Sequence, residues 1–256
     1  MKTFILCGGF GTRLDYEGTL IAKPMVRIGK EPILMHIIQN YIEQDINEFV
    51  FCLGHKFNTI NNYFLKENKK KVKVINKDKE NIKFSYSYNK IKFIGNLIYT
   101  GLKTGTGGRI KKAYKKLNLN EDIMMTYGDG LSNVSIKKLI NFHYKNNARV
   151  TLTAVKPKER YGILKIKNNK ITYFNNENKK TDTYVNGGYF VIDKSCINKI
   201  NNNNTYWEQG PLNFFAKKKQ LLAFKHEGFW KSLDTLKDKN DFNSLYKSKK
   251  KSPWKI

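Results

Sequence analysis

The sequence predicts an α/β fold with a mostly parallel central sheet, helices on both faces and a small antiparallel β patch. Three observations predict it. Short apolar runs alternate with stretches of helical periodicity through the first 155 residues, a glycine-rich turn follows the first run, and from Tyr161 to Ile192 the pattern changes to short strands punctuated by Gly and Asn.

Thr3 to Cys7 is an apolar run that stops at Gly8 and Gly9, as a buried strand does. Pro32 to Gln44 places Ile33, Leu34, Ile37, Ile38, Tyr41 and Ile42 at helical spacing, and Phe49 to Leu53 is a second strand. Thr59 to Lys66 and Thr106 to Leu117 carry helical patterns, Ile123 to Tyr127 is a buried strand, and Ser135 to Asn146 is an amphipathic helix before the strand Val150 to Val155. The segment 161–192 predicts an antiparallel patch over the sheet edge, and Thr235 to Tyr246 a terminal helix. Strand–helix alternation requires right-handed crossovers, hence parallel strands covered on both faces. Ligands of such sheets bind at the carboxyl ends of the strands. The loops after Cys7, after Tyr127 and around residue 100 are therefore the candidate site. Without repeats, a Pro-rich linker or a long low-complexity tail, residues 1–256 read as one domain.

Lys and Arg number 48 against 21 Asp and Glu, a net charge of +27. Such a field attracts nucleic acid, acidic membranes and anionic metabolites. Only five of the 48 are arginines, however, and the lysines are spread along the whole chain among many asparagines. Readers of phosphates and bases depend on the planar arginine fork. The load therefore reads as a solvated lysine surface, runs 69–71, 217–219 and 249–251 included, and no nucleic-acid partner is expected. A basic polyanion binder on an inherited fold is the rival from another class. Cys7, Cys52 and Cys196 are too few and too scattered for a disulfide framework or a zinc site. No apolar stretch approaches the roughly 20 residues of a membrane span, and the N-terminus lacks a signal-peptide core. A soluble cytoplasmic protein is expected.

The segment Leu6-Cys7-Gly8-Gly9-Phe10-Gly11-Thr12-Arg13-Leu14 is a glycine turn directly after a strand. Missing side chains let backbone N–H groups approach a phosphate, and Arg13 adds a charged fork. It matches neither the dinucleotide fingerprint nor the P-loop, so a plain turn is the competing reading. Lys23, fixed beside Pro24, is placed to neutralise charge on a transferring phosphate. Asp129 lies between two glycines at a strand end, where a carboxylate can reach a hard cation such as magnesium, although Asp-Gly is also the commonest of turns. Asp234 precedes the terminal helix and reads either as a second carboxylate or as its N-cap, with Lys237 where a capping box has Glu. Arg109 opens a predicted helix as one of five arginines, either a bidentate phosphate or base contact or a helix-surface charge. Trp207 and Trp230 are core aromatics or sugar platforms, with Glu208 a candidate acceptor of a sugar hydroxyl.

Gly8-Gly9-Phe10-Gly11-Thr12-Arg13-Leu14, Lys23-Pro24-Met25, Thr106-Gly107-Gly108-Arg109, Thr126-Tyr127-Gly128-Asp129-Gly130, Asn186-Gly187-Gly188-Tyr189-Phe190, Trp207-Glu208-Gln209, Gly228-Phe229-Trp230 and Asp234-Thr235-Leu236-Lys237-Asp238 together resemble the sugar-phosphate nucleotidyltransferases over essentially the full length. Trp-Glu-Gln and Gly-Phe-Trp resemble their glucose-1-phosphate cytidylyltransferase branch. The resemblance implies a Rossmann-like nucleotidyltransferase fold, with a core of about 1–155 and 221–246 and a sugar-binding portion of about 156–220. It implies that CTP and α-D-glucose 1-phosphate are joined into CDP-glucose with release of pyrophosphate, as a precursor for deoxysugar and surface-polysaccharide synthesis, by a homo-oligomer.

By the same resemblance Arg13, Lys23 and Asp129 are catalytic and Asp129 with Asp234 holds Mg²⁺. Leu6, Cys7, Gly8, Gly9, Phe10, Gly11, Thr12, Arg13, Lys23, Thr104, Arg109, Gly128, Asn186 and Glu208 contact substrate. One stretch departs from the pattern. Many relatives carry Glu-Lys-Pro ahead of the Asn-Gly-Gly strand, and counting back from Asn186 those positions hold Asn176 and Glu177. Either the loop slips so that Glu177 and Lys179 do the work, or the sugar site differs, and a different sugar 1-phosphate or nucleotide is the alternative.

Overall fold

The computed structural model describes residues 1–10, 21–157, 163–167, 170–175, 183–248 and 252–255. Strand β1 (Thr3–Cys7) is followed by a 3-10 turn (Lys23–Met25) and a small hairpin of β2 (Arg27–Ile28) and β3 (Glu31–Pro32). Next come α1 (Ile33–Ile42), β4 (Glu48–Leu53), α2 (Phe57–Asn62), β5 (Val72–Lys77), β6 (Asn81–Tyr88), β7 (Ile91–Tyr99) and α3 (Thr106–Lys116). The chain continues through β8 (Ile123–Tyr127), β9 (Gly130–Ser132), α4 (Ile136–Lys145), β10 (Val150–Val155), β11 (Ile163–Lys167), β12 (Lys170–Asn175) and β13 (Val185–Ile192). It ends with α5 (Pro211–Lys217), β14 (Leu221–His226), β15 (Trp230–Ser232) and α6 (Leu236–Ser248).

Nine strands form one sheet in the order β14-β10-β13-β8-β1-β4-β7-β6-β5. All run in the direction of β1 except β13 and β6, so the sheet is mostly parallel, as the alternation predicts. The period of two in each strand divides the core. Ile5, Cys7, Phe49, Phe51 and Tyr189 pack with α1, α4 and α6 on one face. Phe4, Leu6, Val50, Cys52 and Phe190 pack with α3 and α5 on the other. At roughly 25 cal/mol per Å² of buried apolar surface, these two layers are the main stabilising term.

One expectation changes, and one alternative reading falls away. The segment 185–192 does not lie in the edge patch: β13 is inserted antiparallel between β8 and β10, with Tyr189, Phe190, Val191 and Ile192 buried. Gly187 tolerates that insertion because a Cβ there would stand 2.9 Å from the Thr153 carbonyl oxygen of β10. Only β11 and β12 form the separate antiparallel pair expected of that region. Asp234 does not cap α6. Thr235 does, accepting from the Asp238 N–H at 3.2 Å while Asp238 Oδ2 accepts from the Thr235 N–H at 2.9 Å. This reciprocal box has Asp in the place of Glu and leaves the Asp234 carboxylate available elsewhere.

Candidate active site

Parallel strands β1 and β8 are neighbours, so the glycine turn and the Gly128–Asp129 bend emerge side by side at the carboxyl edge of the sheet. The Gly128 N–H donates to the Leu6 carbonyl at 3.2 Å, continuing the ladder past Tyr127. Immediately beyond, β9 pairs antiparallel with β15, Gly130 opposite Ser232, and the Leu233 N–H donates to the Asp129 carbonyl at 2.8 Å. This two-stranded ribbon carries Asp129 just before one strand and Asp234 just past the end of the other.

Lys23 reaches the same point from the 3-10 turn. Pro24 supplies the fixed φ that starts such a turn, the Met25 N–H closes it on the Ala22 carbonyl at 2.7 Å, and Thr59 Oγ1 accepts from the Ala22 N–H at 3.1 Å. Pro24 lies against Gly128, where a Cβ would fall 2.7 Å from the proline Cγ. Lys23 Nζ thereby donates to Asp129 Oδ2 at 2.6 Å and to Asp234 Oδ1 at 2.9 Å. Ser232 Oγ donates to the other Asp234 oxygen at 2.7 Å. Burial disfavours the Lys23 ammonium, but the two aspartates outweigh it and raise its pKa above the ordinary value, so it remains charged.

One ammonium between two carboxylates leaves a single net negative charge. Both are hard oxygen donors, the kind Mg²⁺ takes one or two at a time together with water and phosphate oxygens. Among the described residues no third His, Cys, Asp or Glu joins them. The donor set therefore fits an ion shared with a phosphate ligand rather than an all-protein cage. The two carboxylates open on a pocket of about 260 Å³ lined also by Tyr127, Asn186, Gly187, Gly188, Trp230 and Ser232. A cavity bordered by two carboxylates at the carboxyl edge suits a phosphate ligand that brings a hard cation with it and carries a polar, ring-sized body.

Residues 2–248 match the family model described as nucleotidyl transferase. Glucose-1-phosphate cytidylyltransferase of Salmonella typhimurium is 38% identical over 256 residues, covering 100% of this chain and 99% of the relative. The chain belongs to the nucleotidyl transferase family. Solved nucleotidyl transferases and related structures share its fold. HddC from Yersinia pseudotuberculosis complexed with GMP-PN superposes with a TM-score of 0.69 at 22% identity, covering 96% of this chain and 99% of that one. A UDP-glucose pyrophosphorylase complexed with UDP-glucose gives 0.67 at 15% identity, with 96% and 97% covered.

For a nucleotidyl transferase, the remaining expected residues fall into two groups around the triad. Leu6 and Cys7 end β1, Leu6 hydrogen-bonded to Gly128, and Gly8, Gly9 and Phe10 follow, Phe10 exposed beside His55; Cys7 is buried, and burial pushes its thiol well above the ordinary range, so it is no nucleophile. Gly11, Thr12 and Arg13 lie outside the described residues, as do Asn176, Glu177 and Lys179. Thr104 Oγ1 donates to the Thr100 carbonyl at 2.7 Å and pins the loop around residue 100.

Arg109 is neither a helix-surface charge nor, in this structure, a fork held open for a ligand. It is 4% exposed. Its Nη2 donates to the Gly8 carbonyl at 2.9 Å and the Leu102 carbonyl at 3.1 Å, and its Nη1 to Leu53, Thr100 and Gly101 oxygens at 2.7–3.1 Å. The guanidinium thus ties together the ends of β1, β4 and β7. Gly8 and Gly54 lack a Cβ because one would overlap its atoms at 2.3 and 2.2 Å.

On the opposite side, Asn186 Nδ2 donates to the Tyr127 hydroxyl at 3.3 Å, and Glu208 accepts from Tyr127 at 2.6 Å and from Thr106 at 2.5 Å. Burial, followed by the Glu208 charge, pushes the Tyr127 pKa far up, so the phenol stays protonated. Trp207 is fully buried and serves the core, whereas Trp230 lines the pocket and donates through Nε1 to the Gly187 carbonyl at 2.7 Å. Of the two tryptophans that the sequence offers as core aromatics or sugar platforms, Trp230 is the one at the pocket. Ser232 and Tyr127 are not separately indicated by sequence position; their only local signal is the edge of a short Gly- or Asp-containing motif.

Proposed function

We propose that this chain joins CTP to α-D-glucose 1-phosphate, giving CDP-glucose and pyrophosphate. A phosphate oxygen of the sugar attacks the α-phosphorus in line, the new O–P bond forms, and the bond to pyrophosphate breaks on the opposite side. The attacking oxygen is already anionic, so no general base is needed. Alignment and neutralisation of charge are what the protein supplies. Lys23 offers its ammonium to the phosphates, Arg13 a second cation, and the glycine turn from Leu6 its backbone N–H groups. Asp129 and Asp234 would hold Mg²⁺, which when bound screens the triphosphate charge. Asn186 borders the sugar side, Arg109 and Thr104 fix the loops of the nucleotide side, and Gly128 seats the Lys23 turn.

The observation that carries this reading is the meeting of Lys23, Asp129 and Asp234, from three distant parts of the chain, beside one pocket that the two aspartates line. The 38% identity to the Salmonella cytidylyltransferase supports the choice of base and sugar. We read the enzyme as a cytoplasmic homo-oligomer supplying surface-polysaccharide precursors. No described helix is long and apolar enough to cross a membrane. A coupled pyrophosphate-release assay over CTP, UTP, GTP and dTTP against several sugar 1-phosphates, with and without Mg²⁺, tests the proposal. Turnover restricted to CTP, glucose 1-phosphate and Mg²⁺ is expected. A preference for another sugar would assign the 176–179 substitution to specificity, and no release with any pair would reject the reaction.

A further inference from the structure

Four side chains, Asn186 and Tyr127 at the pocket and Glu208 and Thr106 behind them, form a hydrogen-bond chain with a fixed direction. Asn186 Oδ1 accepts from the Gly188 N–H at 2.9 Å, which orients its amide so that Nδ2 donates to the Tyr127 hydroxyl. Tyr127 passes its single proton to Glu208 Oε1. The other Glu208 oxygen accepts from Thr106, whose own oxygen accepts from the Trp207 N–H at 2.8 Å. Every donor in the chain points towards Glu208, because a carboxylate only accepts. The ring is held from behind too: Gly188 has φ +82°, and a Cβ there would stand 2.7 Å from the Tyr127 ring.

A phenol oxygen donates one hydrogen bond and accepts one. With the proton given to Glu208, its accepting side meets the Asn186 amide at 3.3 Å, the longest link of the chain, which a sugar hydroxyl entering the pocket beside Asp129 can replace. We propose that Tyr127 determines specificity by accepting a hydrogen bond from one sugar hydroxyl, and that Glu208 is the positioning residue that fixes this polarity. Glu208 then acts through Tyr127 rather than on the sugar. The inference rests on the reaction proposed above, and it specifies a preference for a hydroxyl over hydrogen at one ring position.

The test uses the full chain and glucose 1-phosphate with its 2-, 3-, 4- and 6-deoxy analogues as probes, reading kcat and KM for sugar and for CTP. Tyr127→Phe should raise the sugar KM by roughly 3- to 10-fold, the worth of one neutral hydrogen bond, with the CTP KM unchanged. One deoxy analogue should be used equally well by wild type and Tyr127→Phe. Glu208→Gln keeps the size of the side chain but removes the two-oxygen acceptor that fixes the direction of the phenol proton. It should penalise the same ring position and no other. Losses spread evenly over all analogues, or equal changes in the CTP KM, would mean that the pair only supports the fold and would overturn the proposal. If wild type releases no pyrophosphate with any sugar 1-phosphate, the reaction itself falls and this inference with it.

Discussion

The ammonium of Lys23 lies 2.6 Å from Asp129 Oδ2, across a sequence separation of 106 residues, and the same nitrogen lies 2.9 Å from Asp234 Oδ1 across 211. In the free protein the lysine balances two carboxylates that would otherwise repel each other. In the proposed reaction the same charge is the one offered to the phosphate oxygens.

The first prediction follows from that double role. Lys23→Ala should lower kcat by roughly 10²- to 10³-fold, the scale of a lost preorganised charge. Lys23→Arg should not restore it, because the planar guanidinium does not replace a compact ammonium at this junction. Near-normal turnover of the purified alanine variant would remove Lys23 from the chemistry.

Asp234 and Thr235 are adjacent yet separate in role. Asp234→Asn removes a charge from the triad and should reduce turnover by roughly 10²-fold or more while raising the Mg²⁺ concentration needed, with little change in unfolding free energy. Thr235→Ala removes the cap of α6 and should cost about 1 kcal/mol of stability with turnover near normal. Denaturant unfolding and steady-state rates on the two variants check the separation. It fails if both variants lose the same property.

Buried runs made the centre of the fold legible: Thr3–Cys7, Glu48–Leu53, Ile123–Tyr127 and Val150–Val155 are nearly continuous apolar strands with covered faces. The β5–β7 meander was not, because Lys and Asn occupy its exposed positions and blur the alternation. Gly95 also interrupts β7, where a Cβ would stand 2.4 Å from Phe84. Strand β13 reads as part of the edge patch because its Asn-Gly-Gly start looks like the Gly and Asn punctuation of 161–192, whereas it serves close backbone approach inside the main sheet. Asp129 was visible as a carboxylate at a strand end. Its partnership with Asp234 depends on β9 and β15, three residues each, which are too short for a periodic signal. The backbone cluster that Arg109 joins is not legible, because helix position says nothing of where a long side chain turns.

Gly128 is required by its neighbours. A methyl group there would stand 2.7 Å from Pro24 Cγ and 3.0 Å from the Leu6 carbonyl oxygen, so Gly128→Ala must push the Lys23 turn away from the aspartates. A displacement of this kind should lower kcat by roughly 10-fold or more while costing about 1–3 kcal/mol of stability. Wild-type kcat in a folded Gly128→Ala protein would show that the turn has slack.

Two buried histidines should make stability fall on mild acidification. His36 Nε2 lies 2.9 Å from the Ile28 carbonyl oxygen with Tyr246 and Trp254 edge-on to its ring, and His143 Nδ1 lies 2.9 Å from Thr151 Oγ1. Burial lowers the pKa of both below the ordinary 6.5, although Asp122 and Asp193 partly oppose this at His143. A depressed folded-state value means that the unfolded chain binds protons first. Stability is therefore complete above 6.5 and is lost as the pH falls through the folded values. Asp238 behaves differently. Burial there is outweighed by hydrogen bonds from Lys231 and Thr235, which hold its pKa below 3.8, so its contribution persists through this window. Urea unfolding midpoints should fall between about pH 7 and about pH 5, and the double variant His36→Gln with His143→Asn, which keeps the polar contacts without titrating, should remove most of that slope. An unchanged slope in the double variant would place the titrating groups elsewhere.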